Sequence, residues 1–361
     1  MGTNPGKNKS NIKSENRGTL FRYLVTNKRT SRIELSKISG LTKMTVTNII
    51  SEFLEKHYVT EVFDGHVRAT RSNPVMLELS SDAPKIIGVL IRHNYIEVSL
   101  CTFDLKILKL KKQVLTAFDQ DILIHTIREI IDPLVQSENI LGIGIGSIGP
   151  VDIHNGIILN PPDFCGLHNI PIVQILQKAY HIPVYLDYHY NCTALAEKYF
   201  GNGQNYDNYL FLGISEGLSL GIVLNSQLFS NYTGFASELG HLCVDISPEA
   251  MDDYENQSCL GHRIHPDAHD PAILHASIRT LAVALAGLCN VLNPQAIIVG
   301  DSKKQVSDDL LTLLSNEINR RIVIRDYHHI DVLRAQRTDH METSSCAISV
   351  IQEVFQGNLM F

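Results

Sequence analysis

The sequence of 361 residues contains no tryptophan and only seven cysteines, at positions 101, 165, 192, 243, 259, 289 and 346. These cysteines form no CxxC pair, so we expect reduced thiols and exclude a disulfide framework. No apolar run reaches the roughly 18 residues that span a bilayer, and the first 30 residues lack the hydrophobic stretch of a signal peptide. A chain that is 44% hydrophobic and 19% charged is an ordinary globular chain, expected in the cytoplasm with no membrane partner.

Positive charge is scarce except near the N-terminus. Residues 1–80 hold 13 Lys and Arg against 7 Asp and Glu, a net charge of +6, whereas the other 281 residues hold 18 against 31, a net charge of −13. A basic segment beside an acidic body is typical of a segment that contacts a phosphate backbone. The charge distribution therefore predicts nucleic-acid binding by the first 80 residues and not by the rest.

Three short helices are predicted between Asn16 and Tyr58. Ser31 is a candidate N-cap for the second helix and Thr42 for the third, and Gly40 with Leu41 breaks the chain between them. A three-residue turn between amphipathic helices is typical of a helix-turn-helix. The three apolar stripes are Leu20, Phe21, Leu24 and Val25; Ile33, Leu35 and Ile38; and Val46, Ile49, Ile50, Phe53 and Leu54.

The outward face of the third helix carries short hydrogen-bonding side chains and one cation, which suit base edges in the DNA major groove. A strand over 58–63, a turn at Asp64-Gly65 and a strand over 75–79 then predict a wing. The predicted DNA-binding residues are Lys43, Met44, Thr45, Thr47, Asn48 and Ser51 on the helix and Arg68 and Arg71 on the wing. The alternative is that the three helices form a dimerisation or docking bundle.

We predict a flexible basic arm over residues 1–15, a winged helix-turn-helix over 16–80, a first α/β lobe over 84–187 plus about 340–361, and a second lobe over 188–339. Lys7, Lys9, Lys13 and Arg17 supply the charge of the arm. Strands alternate with helices after Pro84, which is typical of an α/β fold. The small-rich apolar stretch 281–288 is predicted to be a buried helix, with a dimerisation surface on the second lobe.

The whole chain resembles the ROK family of repressors, open reading frames and sugar kinases, and in particular its xylose- and N-acetylglucosamine-type repressors. The segments that carry the resemblance are IELSKISGLTKMTVTNIISEFLEK, GIGIGSIGPVDIHNGIILNPP, NCTALAEKYFG, GIVLNSQL, ELGH and NPQAIIVG. The resemblance implies a two-lobed ribonuclease-H-like fold, that of actin-like ATPases and sugar kinases, after the winged helix-turn-helix.

The parts that a kinase of this family needs are altered. Backbone amides of glycine loops hold the nucleotide phosphates, yet Arg92-His93-Asn94 replaces a DIGGT-like loop and Ser215-Glu216-Gly217 opens the second loop. In the third loop only Gly300 remains, before Asp301 and Ser302. The general base of the family is the Asp of an NDAN-like motif, and here that position is His189. We therefore expect no enzyme activity and no cofactor.

The resemblance implies a sugar pocket in which the Glu and His of an ExGH motif bind hydroxyl groups. Glu238 and His241 match that motif, and Asn160 and His189 are further candidates for effector binding. The alternative is that these residues are an inherited scaffold without a ligand, since Tyr188 and Tyr190 are bulky.

The family's structural zinc site uses the His of ExGH and three cysteines. The matching loop here has Cys259 as its one cysteine. We therefore predict no metal, and the weak candidates for a replacement site are His241, Cys259, His262 and His265.

Together these features predict a transcriptional regulator, a repressor of carbohydrate-related genes, that binds a palindromic operator in double-stranded DNA as a homodimer or dimer of dimers and responds to a sugar in the cleft. Two alternatives stay open: a repressor with a ligand-free body controlled by a protein partner, and an active sugar kinase with an appended DNA-binding head.

Overall fold

The computed structural model describes residues 9–62, 75–115, 119–160, 167–214, 217–229, 237–265, 270–300, 306–336 and 340–360. We call residues 9–79 the head and residues 85–360 the body. The head contains α1 (Lys9–Asn27), β1 (Arg29–Ser31), α2 (Arg32–Ser39), α3 (Lys43–Glu55), β2 (Val59–Val62) and β3 (Met76–Leu79). Its strands form one antiparallel sheet in the order β1-β3-β2.

Local caps fix the two helices of the helix-turn-helix. The Ser31 hydroxyl accepts from the Glu34 amide while the Glu34 carboxylate accepts from the Ser31 amide, a complete capping box at the start of α2. Gly40 ends α2 in the left-handed conformation, with φ of +70°, and Thr42 caps α3 by accepting from the Thr45 amide. The predicted caps and turn are therefore confirmed.

Two predictions for the head are corrected. Helix α1 begins at Lys9, so residues 9–15 are helical and not part of a flexible arm. The side chains of Lys13 and Arg17 contact α3, where both form ion pairs with the Glu52 carboxylate. On α2 only Leu35 is buried, and Ile33 and Ile38 are exposed because this short helix contacts the rest of the head through a narrow face.

The first lobe of the body is a five-stranded sheet in the order β10-β7-β4-β5-β6, in which β4, β7 and β10 are parallel. Helices α4 and α5 and the end of the chain, α11 and α12, complete the lobe. Its elements are β4 (Lys85–Ile91), β5 (Tyr95–Cys101), β6 (Ile107–Val114), α4 (Gln120–Ser137), β7 (Ile140–Ser147), β8 (Val151–Asp152), β9 (Ile157–Ile158), α5 (Ile172–Tyr180), β10 (Val184–Tyr188), α11 (Met341–Cys346) and α12 (Ile348–Gln356).

The second lobe is a five-stranded sheet in the order β13-β12-β11-β14-β15, with β11, β14 and β15 parallel. Helix α6 packs between this sheet and α11. Its elements are α6 (His189–Phe200), β11 (Tyr209–Gly213), β12 (Ser219–Leu224), β13 (Gln227–Leu228), α7 (Pro248–Asp252), α8 (Leu260–Arg263), α9 (Pro271–Leu292), β14 (Ala296–Gly300), α10 (Asp308–Asn319) and β15 (Asp331–Arg334).

The head and the first lobe share one hydrophobic core. Leu20, Phe21 and Phe53 of the head belong to the same buried cluster as Phe103 and Ile351 of the body. The Phe21 ring meets the Phe53 ring at 5.6 Å and the Phe103 ring at 4.9 Å, both edge to face. The winged helix-turn-helix is thus packed on the body rather than suspended from a linker.

By length and composition alone, one helix of the described residues is apolar enough to cross a membrane, Ala272–Leu292 within α9. Core helices pass the same test, and Leu281 and Leu285 are buried in the core of the second lobe. His275 and Arg279 interrupt the apolar residues of this helix, which explains why the sequence contains no continuous apolar run of that length. The stretch 281–288 is not fully buried as predicted, because Val283 and Gly287 face outward.

Candidate functional site

A cavity of about 470 Å³ lies where the two lobes meet. The parallel strands β4, β7 and β10 end at the same edge of the first sheet, and ligands of open α/β sheets bind beyond the carboxyl ends of such strands. The second lobe closes the cavity with the start of β12 and the turn after Glu238. The polar residues that line it are Arg92, His93, Tyr188, His189, Ser219, Glu238, His241 and His262.

His189, the residue at the base position, is buried and bonded on both ring nitrogens. With Nδ1 protonated, the ring donates to the Ser147 carbonyl at 3.0 Å, and Nε2 then accepts from Arg92 Nη1 at 2.5 Å. Burial, reinforced by the Arg92 charge, holds the pKa of His189 well below its usual range. Because the lone pair that would accept a substrate proton already faces Arg92, this imidazole is a poor general base.

Arg92 follows β4, where the sequence resemblance predicts the first phosphate loop. The chain turns tightly from β4 into β5, with the Arg92 amide donating to the Tyr95 carbonyl, and the Arg92 side chain is 2% exposed. Its guanidinium contacts His189 and, at 3.3 Å, the Glu342 carboxylate of α11. A cation and a tight turn thus stand where the family has glycine amides. Glu216, Asp301 and Ser302 of the other two loops lie outside the described residues.

Two tyrosines form the wall between the lobes. The Tyr188 hydroxyl, at the end of β10, is hydrogen-bonded to the Ser219 hydroxyl at the start of β12. Burial raises the pKa of Tyr188 well above its usual value, so the phenol stays protonated. The Tyr190 ring packs so closely on Gly213 that a Cβ there would lie 2.0 Å from it. These bulky side chains line the cavity without closing it.

Glu238 and His241 both line the cavity, as the ExGH match implied. A hydrogen bond of 2.9 Å from the Gly240 amide to the Leu218 carbonyl holds their turn against the second sheet. Desolvation by the cleft walls raises the pKa of Glu238, and the nearby His241 opposes that shift. Asn160, by contrast, is exposed and is not among the residues that line the cavity.

The structure also reveals cavity residues that the sequence did not single out as ligand contacts: Arg92, His93 and Ser219. In the sequence, Arg92 was noted only because it stands in the segment that replaces a glycine loop of the family. Its position at the end of a strongly apolar strand could have indicated a buried and partnered side chain, because a charged residue that is buried there needs a partner.

The four candidate metal ligands do not form a zinc site. His241, Cys259 and His262 line the cavity together, since the segments 242–244 and 258–260 pair through their backbones, but His265 lies at a separate surface depression. The Cys259 thiol is directed at the His241 carbonyl oxygen, 3.8 Å away. Within the described residues, no three His, Cys, Asp or Glu side chains cluster as metal ligands would.

The predicted DNA-contacting face of α3 points to solvent. Lys43, Met44, Thr47, Asn48 and Ser51 are exposed, and Thr45 is half-buried against the Thr42 cap. Met44 is 75% exposed. Arg68 and Arg71 lie outside the described residues.

Sequence comparison gives the family of the body and relatives of the full chain. The model of the ROK family matches residues 86–264. The xylose repressor of Caldicellulosiruptor bescii is 25% identical over 95% of this chain and 97% of its own. The DNA-binding transcriptional repressor Mlc of Escherichia coli is 23% identical over 97% and 96% of the two chains.

Comparison with solved structures also finds proteins of the ROK family. A ROK family transcriptional regulator, described as a homologue of the Escherichia coli MLC protein, superposes with a TM-score of 0.79 at 22% identity and covers 96% of this chain and 98% of its own. A ROK family glucokinase from Streptomyces griseus, solved with glucose and AMPPNP, superposes with a TM-score of 0.59 at 22% identity over 73% and 98% of the two chains. The match to the regulator covers 96% of the chain and the match to the kinase covers 73% of it, and residues 86–264 form a ROK family domain.

Proposed function

We propose that the protein is a sequence-specific DNA-binding transcriptional repressor of carbohydrate-related genes, controlled by a sugar or sugar derivative in the cleft. The observation that carries this proposal is the exposed polar face of α3 on a capped helix-turn-helix. Relatives named as xylose repressor and as DNA-binding transcriptional repressor match nearly the whole chain, which supports the same reading. Such a protein acts in the cytoplasm, where its DNA lies.

The cleft of this repressor binds its effector without phosphorylating it. His189 faces Arg92 with the lone pair that a base would use, and Arg92 fills the position of the first phosphate loop. Glu238 and His241 supply a carboxylate and an imidazole for sugar hydroxyls. Asn160 contacts an effector only if the segment after it approaches the cavity.

The repressor acts as a homodimer, so that two heads meet two half-sites of a palindrome about 34–36 Å apart. The outward face of α9 and the segment after α10 offer an apolar surface for that contact: Val283 is 52% exposed, Val291 79% and Tyr327 93%. We infer that these exposed apolar residues contribute to the contact.

DNA binding is tested by selecting duplexes from a random library with the full-length protein and measuring their affinity. Asn48→Ala removes a base contact and should weaken selected duplexes by about tenfold, with little change for random ones. Lys178→Ala, an exposed change on α5 of the body, is the matched control and should bind like wild type. Failure of any duplex to be enriched would remove the proposal.

Effector binding is tested by calorimetry with D-xylose, D-glucose, N-acetyl-D-glucosamine and their phosphates, and by operator affinity with and without each. A sugar that binds should weaken operator binding, and Glu238→Gln with His241→Ala should remove the response while operator binding stays. If no sugar binds, control by a protein partner is favoured instead. Phosphorylation of any of these sugars by Mg²⁺-ATP would restore the kinase reading, since ROK kinases share this fold.

A further inference from the structure

Helix α11 is a polar helix that is buried along its whole length. All six residues from Met341 to Cys346 are buried, including the hydroxyl residues Thr343 and Ser344. It rests directly on the sheet backbone: a Cβ on Gly88 would lie 2.6 Å from the Thr343 carbonyl oxygen, and one on Gly144 only 1.9 Å from that of Cys346. Because no side chains cushion these contacts, α11 cannot tilt without disturbing β4 and β7.

The first turn of α11 is connected to the cavity by charge. Glu342, 4% exposed, accepts from Arg92, the cavity residue that also faces His189. A second buried carboxylate, Glu97 of β5, accepts from the Thr343 hydroxyl and lies 3.3 Å from His340 Nδ1. Glu342 therefore has a partner that a cavity ligand can touch, whereas Glu97 has partners remote from the ligand.

Helix α12, which follows α11, lies against the head. Ala347 is helical and joins α11 to α12 with no loop between them. Helix α12 packs on α1 so closely that a Cβ on Gly18 would lie 2.5 Å from the Phe355 carbonyl oxygen. Beyond α12, the Met360 carbonyl accepts from the Tyr58 hydroxyl at 3.4 Å. The chain thus connects α11 directly to α12, which packs on α1, the helix that precedes the helix-turn-helix.

We propose that Arg92 is the ligand-sensing residue of the cleft and that Glu342 is the positioning residue that transmits the signal to α11, α12 and α1. This inference rests on the proposed function, because its input is the cleft ligand. A ligand with hydroxyl or carboxylate oxygens draws the Arg92 guanidinium towards the cavity and away from Glu342. The loss of an arginine contact destabilises the buried Glu342 carboxylate, so α11 shifts to restore the contact and the head moves with it.

Hydrogen–deuterium exchange on the full-length protein tests this connection without a known ligand or operator. Arg92→Met and Glu342→Gln should each raise exchange of the α12 and α1 amides by about tenfold, with α5 of the same lobe unchanged. The double variant should exchange no faster than either single variant, because both substitutions remove the same contact between Arg92 and Glu342. Arg92→Lys keeps the charge and should restore most of the protection.

Glu317→Gln is the matched control, since Glu317 is also a buried carboxylate paired with arginines, Arg320 and Arg321, but lies on α10. It should leave α12 and α1 unchanged. Unchanged exchange in Arg92→Met, or effects of the two substitutions that multiply in the double variant, would overturn the proposal.

A second readout separates this proposal from the proposed function. If D-xylose or another sugar of the panel changes operator affinity in wild type, Glu342→Gln should reduce that ratio by about tenfold while calorimetry still detects the sugar. An unreduced ratio contradicts the transmission route and leaves the repressor intact. If no sugar and no DNA bind, the repressor proposal fails, and the exchange data still decide the connection.

Discussion

A carboxyl group beside the cavity makes the stability of the protein depend on pH. Asp187 of β10 accepts from the Tyr188 amide and from Asn191 Nδ2, but desolvation prevails and raises its pKa to about 6. A carboxyl whose pKa is higher in the folded than in the unfolded state binds more protons when folded. Its contribution to stability is therefore greatest near pH 4 and is lost as the pH rises through about 6.

Asp187→Asn should stabilise the fold more at pH 7.5 than at pH 5, because the amide keeps the acceptor and carries no charge. The gain in the free energy of unfolding should be about 1 kcal/mol larger at pH 7.5, measured by urea denaturation at both pH values. Asp121→Asn on the exposed start of α4 serves as control and should show no such difference. An equal effect of Asp187→Asn at the two pH values contradicts the assignment.

Sequence reasoning at this scale succeeded where partners are close in the chain. Ser31, Gly40 and Thr42 act within four residues, so caps and turn were readable from local chemistry. The contacts of Arg92 join residues 97 and 250 positions away, and no local pattern encodes them. His189 lines the cavity, but its contact with Arg92 could be seen only in the fold.

The contact of α1 with α12 is sensitive to side-chain size. An exposed helical glycine is normally improved by alanine, which gains up to about 1 kcal/mol of helix propensity. Gly18 lies instead against the backbone of Phe355 and Gly357, at 2.5 and 2.6 Å from a hypothetical Cβ. The same substitution must therefore separate the two helices.

Gly18→Ala should lower the free energy of unfolding by about 1–3 kcal/mol and weaken operator binding. Gly287→Ala on α9 is the matched control: no atom lies within 4 Å of its hypothetical Cβ, so it should be neutral or slightly stabilising. Thermal unfolding of the two variants side by side decides the matter. Equal melting temperatures would show that α1 and α12 separate without cost.

Element boundaries were predictable mainly where apolar periodicity was strong. The third helix was found from Val46, Ile49, Ile50 and Phe53, all of which are buried. The start of α1 was missed by seven residues because Lys9–Glu15 contains a single apolar residue, Ile12, and its helicity comes from packing against α12 and pairing with Glu52. The polar α11 gave no core signal at all, since Thr, Ser and Glu are seldom fully buried.

For the whole molecule, the proposed dimer contact lies on the outward face of α9. Val283→Glu together with Val291→Glu should convert the protein to a monomer at micromolar concentration, because two charges per subunit would enter the contact. Sedimentation velocity measures the change. Val114→Glu is the control. It places a charge on the edge strand β6 of the first lobe, where Val114 is 57% exposed, and it should leave the dimer intact. A dimer that survives the α9 changes contradicts this surface.

The charge asymmetry of the chain predicts the salt dependence of DNA binding. Lys43 at the start of α3 is an exposed cation on the predicted DNA-facing helix. If it contacts a phosphate, Lys43→Ala should reduce the slope of log affinity against log salt concentration by about 1 per bound head. Lys178→Ala on the body should leave the slope unchanged. Equal slopes for the wild type, Lys43→Ala and Lys178→Ala would show that Lys43 does not contact the DNA phosphate backbone.

The packing of α12 and the final residues against the head has a genetic consequence. The head precedes both lobes in the chain, yet Gly18 and Tyr58 contact Phe355, Gly357 and Met360, which follow most of both lobes. A late nonsense mutation that leaves both lobes nearly complete would remove the surface on which α1 folds and would derepress the target genes. A selection for constitutive expression should therefore yield mutations both in the codons of the head and in those of α12 and the residues up to Met360.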